Sequence, residues 1–132
     1  MIQKLLLDID NTLYSPGTGL WEEILRRINQ YTADKLGLSP AEARDLREIK
    51  LPQYGTTIRW LMEDPHLEHI HIDEKDYMEE VHPQDLSPYI PLDESLAPFL
   101  EGLGLPISLF SNAPRHHAQR VLQRLQIPHD LY

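Results

Sequence analysis

Asp8 and Asp10 stand either side of one residue, with Thr12 two further on, at the downstream end of the apolar run Leu5-Leu6-Leu7. A strand of that composition delivers both carboxylates and the hydroxyl to its carboxyl end, where ligands bind in open α/β sheets. An aspartate placed there can attack phosphorus and form an aspartyl-phosphate, while a second acid protonates the leaving oxygen and later activates water. Two adjacent acids repel each other and a dianionic phosphate. The pattern therefore calls for a hard cation such as Mg²⁺, held at Asp8 and Asp10 by carboxylate and carbonyl oxygens. Taken alone, Asp-x-Asp-x-Thr fits a strand followed by a polar turn equally well, because Asp and Asn are abundant at such boundaries. Asn11 needs no role beyond turn formation.

A second segment shares this layout. The run from Leu105 to Phe110 is apolar and ends in Ser111-Asn112-Ala113, after which Pro114 opens a helical pattern. Proline at the first helical position costs no hydrogen bond, and the free N–H groups there make an anion site beside the Ser111 hydroxyl. Ser111 is the natural phosphate binder, and a simple helix N-cap is the competing role.

Together the two segments resemble the haloacid dehalogenase-like hydrolase superfamily, with Asp8, Asp10 and Thr12 matching its first motif and Ser111 its second. The similarity narrows to the pyrimidine 5′-nucleotidase branch. It is carried by Asp8 to Tyr14, Tyr54-Gly55 with Ile58-Arg59 and Leu61, Val81-His82, Phe110 to Ala113, and His117-Ala118 with Val121-Leu122. The resemblance implies a nucleophile at Asp8, an acid/base at Asp10, and a phosphoryl group held by Ser111, with Thr12 and Asn112 beside it. It implies Mg²⁺ as cofactor and a small phosphate monoester, such as a pyrimidine nucleoside 5′-monophosphate, as substrate. Tyr54 and Arg59 would meet the nucleotide from the cap, although an arginine on a polar helix face is commonly solvated and Tyr54 can simply pack.

The family pattern also requires a lysine and a later acidic pair downstream of the second motif. After Ser111 this chain has no lysine, and its only acid is Asp130. Lys4, Lys35, Lys50 and Lys75 all lie upstream, and Arg115 follows the wrong strand to substitute. The expectation is a C-terminally truncated relative. It would either hydrolyse its phosphate ester with the missing groups supplied from elsewhere, or bind a phosphoryl ligand or a protein partner without turnover.

Composition sets outer bounds. The 132 residues, 41% of them hydrophobic, suffice for one modest core or a core with an inserted lobe. A formal net charge of −9 disfavours nucleic-acid polymers, whose binding depends on basic surface, but not a nucleotide drawn in by a metal, helix N-termini and Arg59. With no cysteine, no membrane-length apolar run and no leader pattern before the first strand, a cytoplasmic location without a membrane partner is expected.

The fold expected is α/β: an incomplete Rossmann-like parallel sheet over residues 1–16 and 89–132, with an all-helical cap inserted over 17–88. Trp21, Ile24, Leu25, Ile28 and Tyr31 fall at helical spacing, and Gly37 suits a left-handed cap. Ser39-Pro40-Ala41-Glu42 reads as a capping box opening a helix to about Ile49. Shorter helices should cover Thr56 to Met62 and the residues after Asp73. Pro83, Pro88 and Pro91 mark the return, a hinge candidate at which His82 could hydrogen-bond.

A crossover helix from Asp93 to about Gly102, interrupted by Pro98, would feed a second strand parallel to the first. Pro114 to Gln126 makes the last helix, with Ala118, Val121, Leu122 and Leu125 inward and His116 and His117 on its surface. His66, His69 and His71 sit in an acidic loop without an evident further ligand, so no metal site is assigned to them. Two strands alone leave apolar edges unpaired, which a homodimer through sheet edges would resolve.

Overall fold

The computed structural model describes all residues from Met1 to Tyr132. The chain is mixed α/β and divides into two compact units, one formed by residues 1–21 with 84–132 and the other by residues 22–83.

The first unit carries the sheet. Strands β1 (Leu5–Asp8) and β2 (Ile107–Phe110) pair in parallel, with Leu5 opposite Ile107 and Asp8 opposite Phe110. The parallel pairing agrees with the expectation from sequence. The sheet consists of these two strands, as many as the sequence offered. The first ladder bond of β1 is Leu5 N–H to the Pro106 carbonyl, and Ile2 lies outside the strand, exposed. Leu6 is 67% exposed and Phe110 47%, so part of the sheet's apolar surface faces solvent.

Two helices in this unit, α5 (Leu96–Gly102) and α6 (Arg115–Arg124), flank β2 in sequence. Pro98 does not interrupt α5. It is the third helical residue, in the first turn, where an N–H would have had no carbonyl to meet. The helix begins at Leu96 rather than Asp93, because the Asp93 carboxylate is engaged by the N–H and hydroxyl of Ser95, holding a turn there. α6 buries His117, Val121 and Leu122, with Leu125 buried just beyond its end. The surface position expected for His117 is thus wrong: its ring is 1% exposed. Ile9, Leu13, Leu86, Ile90, Leu100 and Ile107 are the other principal buried apolar residues of this unit.

The second unit is helical. Helix α1 (Leu20–Leu36) enters it from the first unit, followed by α2 (Pro40–Tyr54), α3 (Thr57–Glu63) and α4 (Glu74–Val81). The buried stripe of α1 runs through Leu20, Ile24, Ile28 and Tyr31, whereas Trp21, which sequence spacing placed on it, is 53% exposed. Gly37 takes φ 70° and lets the Leu38 N–H reach the Ala33 carbonyl, the left-handed cap expected of it.

Helix α2 opens as read, with Ser39 Oγ accepting the Glu42 N–H at 3.2 Å. It then runs on to Tyr54 instead of ending near Ile49. Pro52 sits in its last turn, and the Gly55 N–H closes that turn on the Leu51 carbonyl. Arg47, 7% exposed, donates from Nε to Asn29 Oδ1 at 3.0 Å and so ties α2 to α1. Tyr31 and Tyr77 meet edge to face with centroids 5.1 Å apart, joining α1 to α4. At the end of α3, Trp60 Nε1–H donates to Asp64 Oδ2 at 3.0 Å while Asp64 Oδ1 accepts the His66 N–H. Those bonds fix the turn into residues 65–67.

Candidate functional site

β1 ends at Asp8, and the chain turns at once. Asn11 adopts φ 59°, a left-handed conformation that Asn tolerates better than most residues. The N–H groups of Thr12 and Leu13 both close on the Ile9 carbonyl. The reversal carries Tyr14 back over Asp10, and its hydroxyl donates to Asp10 Oδ1 at 2.6 Å.

β2 ends beside it. Ser111 follows Phe110, which is in register with Asp8, and its hydroxyl donates to Asp10 Oδ2 at 3.1 Å. The same Oγ accepts the Ala113 N–H at 3.0 Å, so it stabilises the turn before α6. The helix N-cap itself is Pro114, which lacks a side-chain cap bond, and not Ser111. One turn into α6, His117 Nε2 meets Asp10 Oδ1 at 3.0 Å.

Asp10 is therefore held by three donors from three places in the chain. Burial pushes its carboxyl up, but the hydrogen bonds from His117, Tyr14 and Ser111, with the charge His117 carries when protonated, outweigh burial and hold it below the usual carboxylate range. Tyr14 moves the other way. Its phenol is pushed well above the ordinary value by burial and by donation to the Asp10 carboxylate.

Asp8 is half-buried and its Oδ1 accepts the N–H of Ile9 at 2.9 Å. Thr12 and Asn112 lie exposed on the two turns that follow the strands. Of the residues singled out in this unit, the structure brings Asp10 and Ser111 into direct contact and sets Asp8 at the same strand ends. Tyr54 and Arg59 belong to the helical unit. Tyr54 is half-buried at the end of α2, and Arg59, with its side chain 65% exposed, donates to Glu63 at 2.9 Å. A hollow of about 460 Å³ in the first unit is lined by Leu86, Leu92, Arg120 and Arg124 among others, and by none of the residues singled out.

No protein-family model matches the chain. The resemblance stated above thus rests on its sequence motifs alone.

The donor set bears on Mg²⁺. Nowhere do three or more His, Asp or Glu side chains converge as a ligand group. Mg²⁺ is commonly held by only one or two carboxylates, with water and substrate phosphate completing its shell, and the oxygens at the end of β1 suit that mode. Asp8 could offer its carboxylate. On Asp10, Oδ1 already accepts from Tyr14 and His117, while Oδ2 accepts only from Ser111 and keeps a lone pair for an ion.

His117, quoted in the resemblance but read as a surface residue, is the contact of Asp10 that the sequence reading missed. It stands four residues before Val121 and eight before Leu125, on the buried face of α6, so helical spacing alone could have placed it inward. Tyr14 carried no comparable signal, because its position depends on the left-handed turn at Asn11.

Proposed function

We propose that the chain is a Mg²⁺-dependent phosphatase of the haloacid dehalogenase-like type, acting on a small phosphate monoester, with a pyrimidine nucleoside 5′-monophosphate as the substrate class. The observation that carries this reading is the meeting of Asp10 and Ser111 across the ends of two parallel strands, with Asp8 at the same ends. A carboxylate and a hydroxyl from residues 101 apart in the chain meet there, which is what an acid and a phosphate binder at one site would require.

In this reading Asp8 attacks phosphorus, Asp10 gives a proton to the leaving oxygen and then takes one from water, and Ser111 holds a phosphoryl oxygen with Thr12 and Asn112 nearby. Mg²⁺ at Asp8, when bound, would offset the charge that two acids and a phosphate bring together. The helical segment would act as a cap, with Tyr54 and Arg59 toward the nucleotide. The protein would work in the cytoplasm, and no helix is long and apolar enough to cross a membrane. Two copies would pair through the open strand edges.

A second reading is favoured by the state of Asp10. Its three donors stabilise the ionised carboxylate, whereas protonating a leaving group requires the acid form. A relative that binds a phosphoryl ligand or a protein partner without turnover would keep such an arrangement.

Phosphate release from a panel of nucleoside monophosphates, with Mg²⁺ or with EDTA, separates the two. Mg²⁺-dependent release lost in Asp8→Asn, with the melting temperature retained, is expected of the enzyme. A ligand that raises the melting temperature while no phosphate appears would instead establish the binding relative.

A further inference from the structure

His117 and Tyr14 reach the same oxygen of Asp10, Oδ1, at 3.0 and 2.6 Å, and Ser111 meets Oδ2 at 3.1 Å. We infer that His117 is a positioning residue which, with Tyr14, pins Oδ1 and makes Oδ2 the oxygen through which Asp10 exchanges its proton during phosphate-ester cleavage. The inference rests on the phosphatase reading and adds to it a residue and a choice of atom.

The argument is one of hydrogen-bond capacity. A carboxylate oxygen has two lone pairs in its plane, and on Oδ1 both are engaged by donors. A proton placed on Oδ1 would displace one of them. A proton placed on Oδ2 leaves Oδ1 as a carbonyl that still accepts from both Tyr14 and His117. Oδ2 accepts only from Ser111, so its second lone pair takes the proton and no donor is displaced. That lone pair is open to the leaving group, and the Ser111 hydroxyl can rotate about its Cβ–Oγ bond toward a phosphoryl oxygen.

The burial pattern assigns the roles. His117 is 1% exposed, while the Asp10 side chain keeps 27% of its surface, so His117 acts through Asp10 and not on substrate. Against an ionised carboxylate, which can only accept, Nε2 must carry the hydrogen. The atoms balance. Asp10 enters the cycle protonated at Oδ2 by a proton taken from solvent; an Asp8 oxygen then bonds phosphorus as the bond to the leaving oxygen breaks, and that oxygen takes the Oδ2 proton. Oδ2 then takes a proton from water as the water oxygen bonds phosphorus, the Asp8–phosphorus link breaks, and both side chains return to their starting states.

The test is leaving-group dependence in the full chain with Mg²⁺, read as kcat/KM, which reports the steps through phosphoenzyme formation. A nucleoside 5′-monophosphate needs a proton on its alkoxide leaving group. Nitrophenyl phosphate does not, since nitrophenolate leaves readily. His117→Leu should lower kcat/KM for the nucleotide roughly tenfold to a hundredfold but for the aryl ester less than about threefold, and His117→Gln, which keeps an N–H donor, should recover most of the loss.

Equal losses on both substrates, or no loss, in a folded variant overturn the inference while leaving the phosphatase reading intact. Should His117→Leu fail to fold, Tyr14→Phe removes the other Oδ1 donor and must show the same selectivity, or the inference fails. Wild-type chain inert on both substrates removes the phosphatase reading itself, and this inference with it.

Discussion

His117 Nε2 lies 3.0 Å from Asp10 Oδ1, joining the first turn of α6 to the turn that follows β1 across 107 residues. The contact does two things at once. It gives Nε2 of a buried imidazole its partner, and it fixes a carboxylate at the strand ends where Asp8 and Ser111 also stand. A polar group withdrawn from water in this way needs a partner, and a charged partner makes the bond stronger than a neutral one would. The candidate site and the packing of α6 are therefore one structure, and changes at either end should be felt at the other.

Tyr14→Phe isolates one arm of that structure. It removes the 2.6 Å bond to Asp10 Oδ1 while keeping the ring. A hydrogen bond to a charged group contributes about 1.5–3 kcal/mol, so a melting temperature lower by roughly 5–10 °C is expected at neutral pH. The sign of the pH dependence follows from Asp10, whose folded carboxyl is held below its ordinary value. Stability from such a group is present above the unfolded pKa, near 4, and is lost as pH falls through the lower folded value. The gap between wild type and Tyr14→Phe should therefore narrow below about pH 4. Thermal melts of both proteins from pH 7 to pH 3 check this, and a constant gap would show that Tyr14 does not stabilise the ionised form.

Much of the fold was legible because the chain marks its own boundaries. Gly37 after an apolar helical stripe, Ser39 before Pro40, Thr56 before α3 and Asp73 before α4 each ended or began a helix where local chemistry said it should. The two apolar runs that end in Asp8 and Ser111 were recognisable as strands. Failures came where a longer-range contact decides. Trp21 and Leu20 are adjacent and both apolar, and spacing did not choose between them. His117 was judged by polarity when its register placed it inside, and the partner that makes its burial tolerable is 107 residues away. The Asp10 donors from β2 and α6 could not be seen locally at all.

The capping box at α2 should prove half functional. Ser39 Oγ accepts the Glu42 N–H, but the Glu42 side chain makes no return bond to the backbone of Ser39. Ser39→Ala should then cost about 1 kcal/mol, the usual cost of losing an N-cap. Glu42→Ala loses only a favourable charge near the helix N-terminus, worth about 0.5 kcal/mol at this exposed position. Urea titrations of the two variants would rank them, and equal losses would mean that the reciprocal bond forms in solution.

The two-stranded sheet has no neighbour at the outer edge of β1 or of β2, and Leu6 and Phe110 leave apolar surface beside those edges. Unpaired edges of this kind template further pairing unless charge blocks it. If two copies pair as proposed, sedimentation velocity should show concentration-dependent association. Leu6→Lys, which places a charge on the exposed face of β1, should shift the chain toward monomer with its far-UV spectrum retained. Association unaffected by Leu6→Lys would locate the contact elsewhere.

The end of α6 holds a stabilising substitution. Gln126 adopts φ 57°, while its N–H meets the Gln123 carbonyl at 3.1 Å and the Ile127 N–H meets the Leu122 carbonyl at 3.0 Å. Those two bonds, with Leu122 and Ile127 both buried, form the Schellman arrangement, whose left-handed position glycine usually fills. A side chain there crowds the following carbonyl at a cost of about 1–2 kcal/mol, whereas glycine loses somewhat more backbone freedom on folding, about 0.5–1 kcal/mol. The balance favours Gln126→Gly by up to about 1 kcal/mol, or roughly 4 °C in melting temperature. Gln126→Ala keeps the crowding without the glycine freedom and should give no gain. Differential scanning calorimetry of the two variants decides the matter: equal melting temperatures would mean that the left-handed conformation at Gln126 carries no strain to relieve.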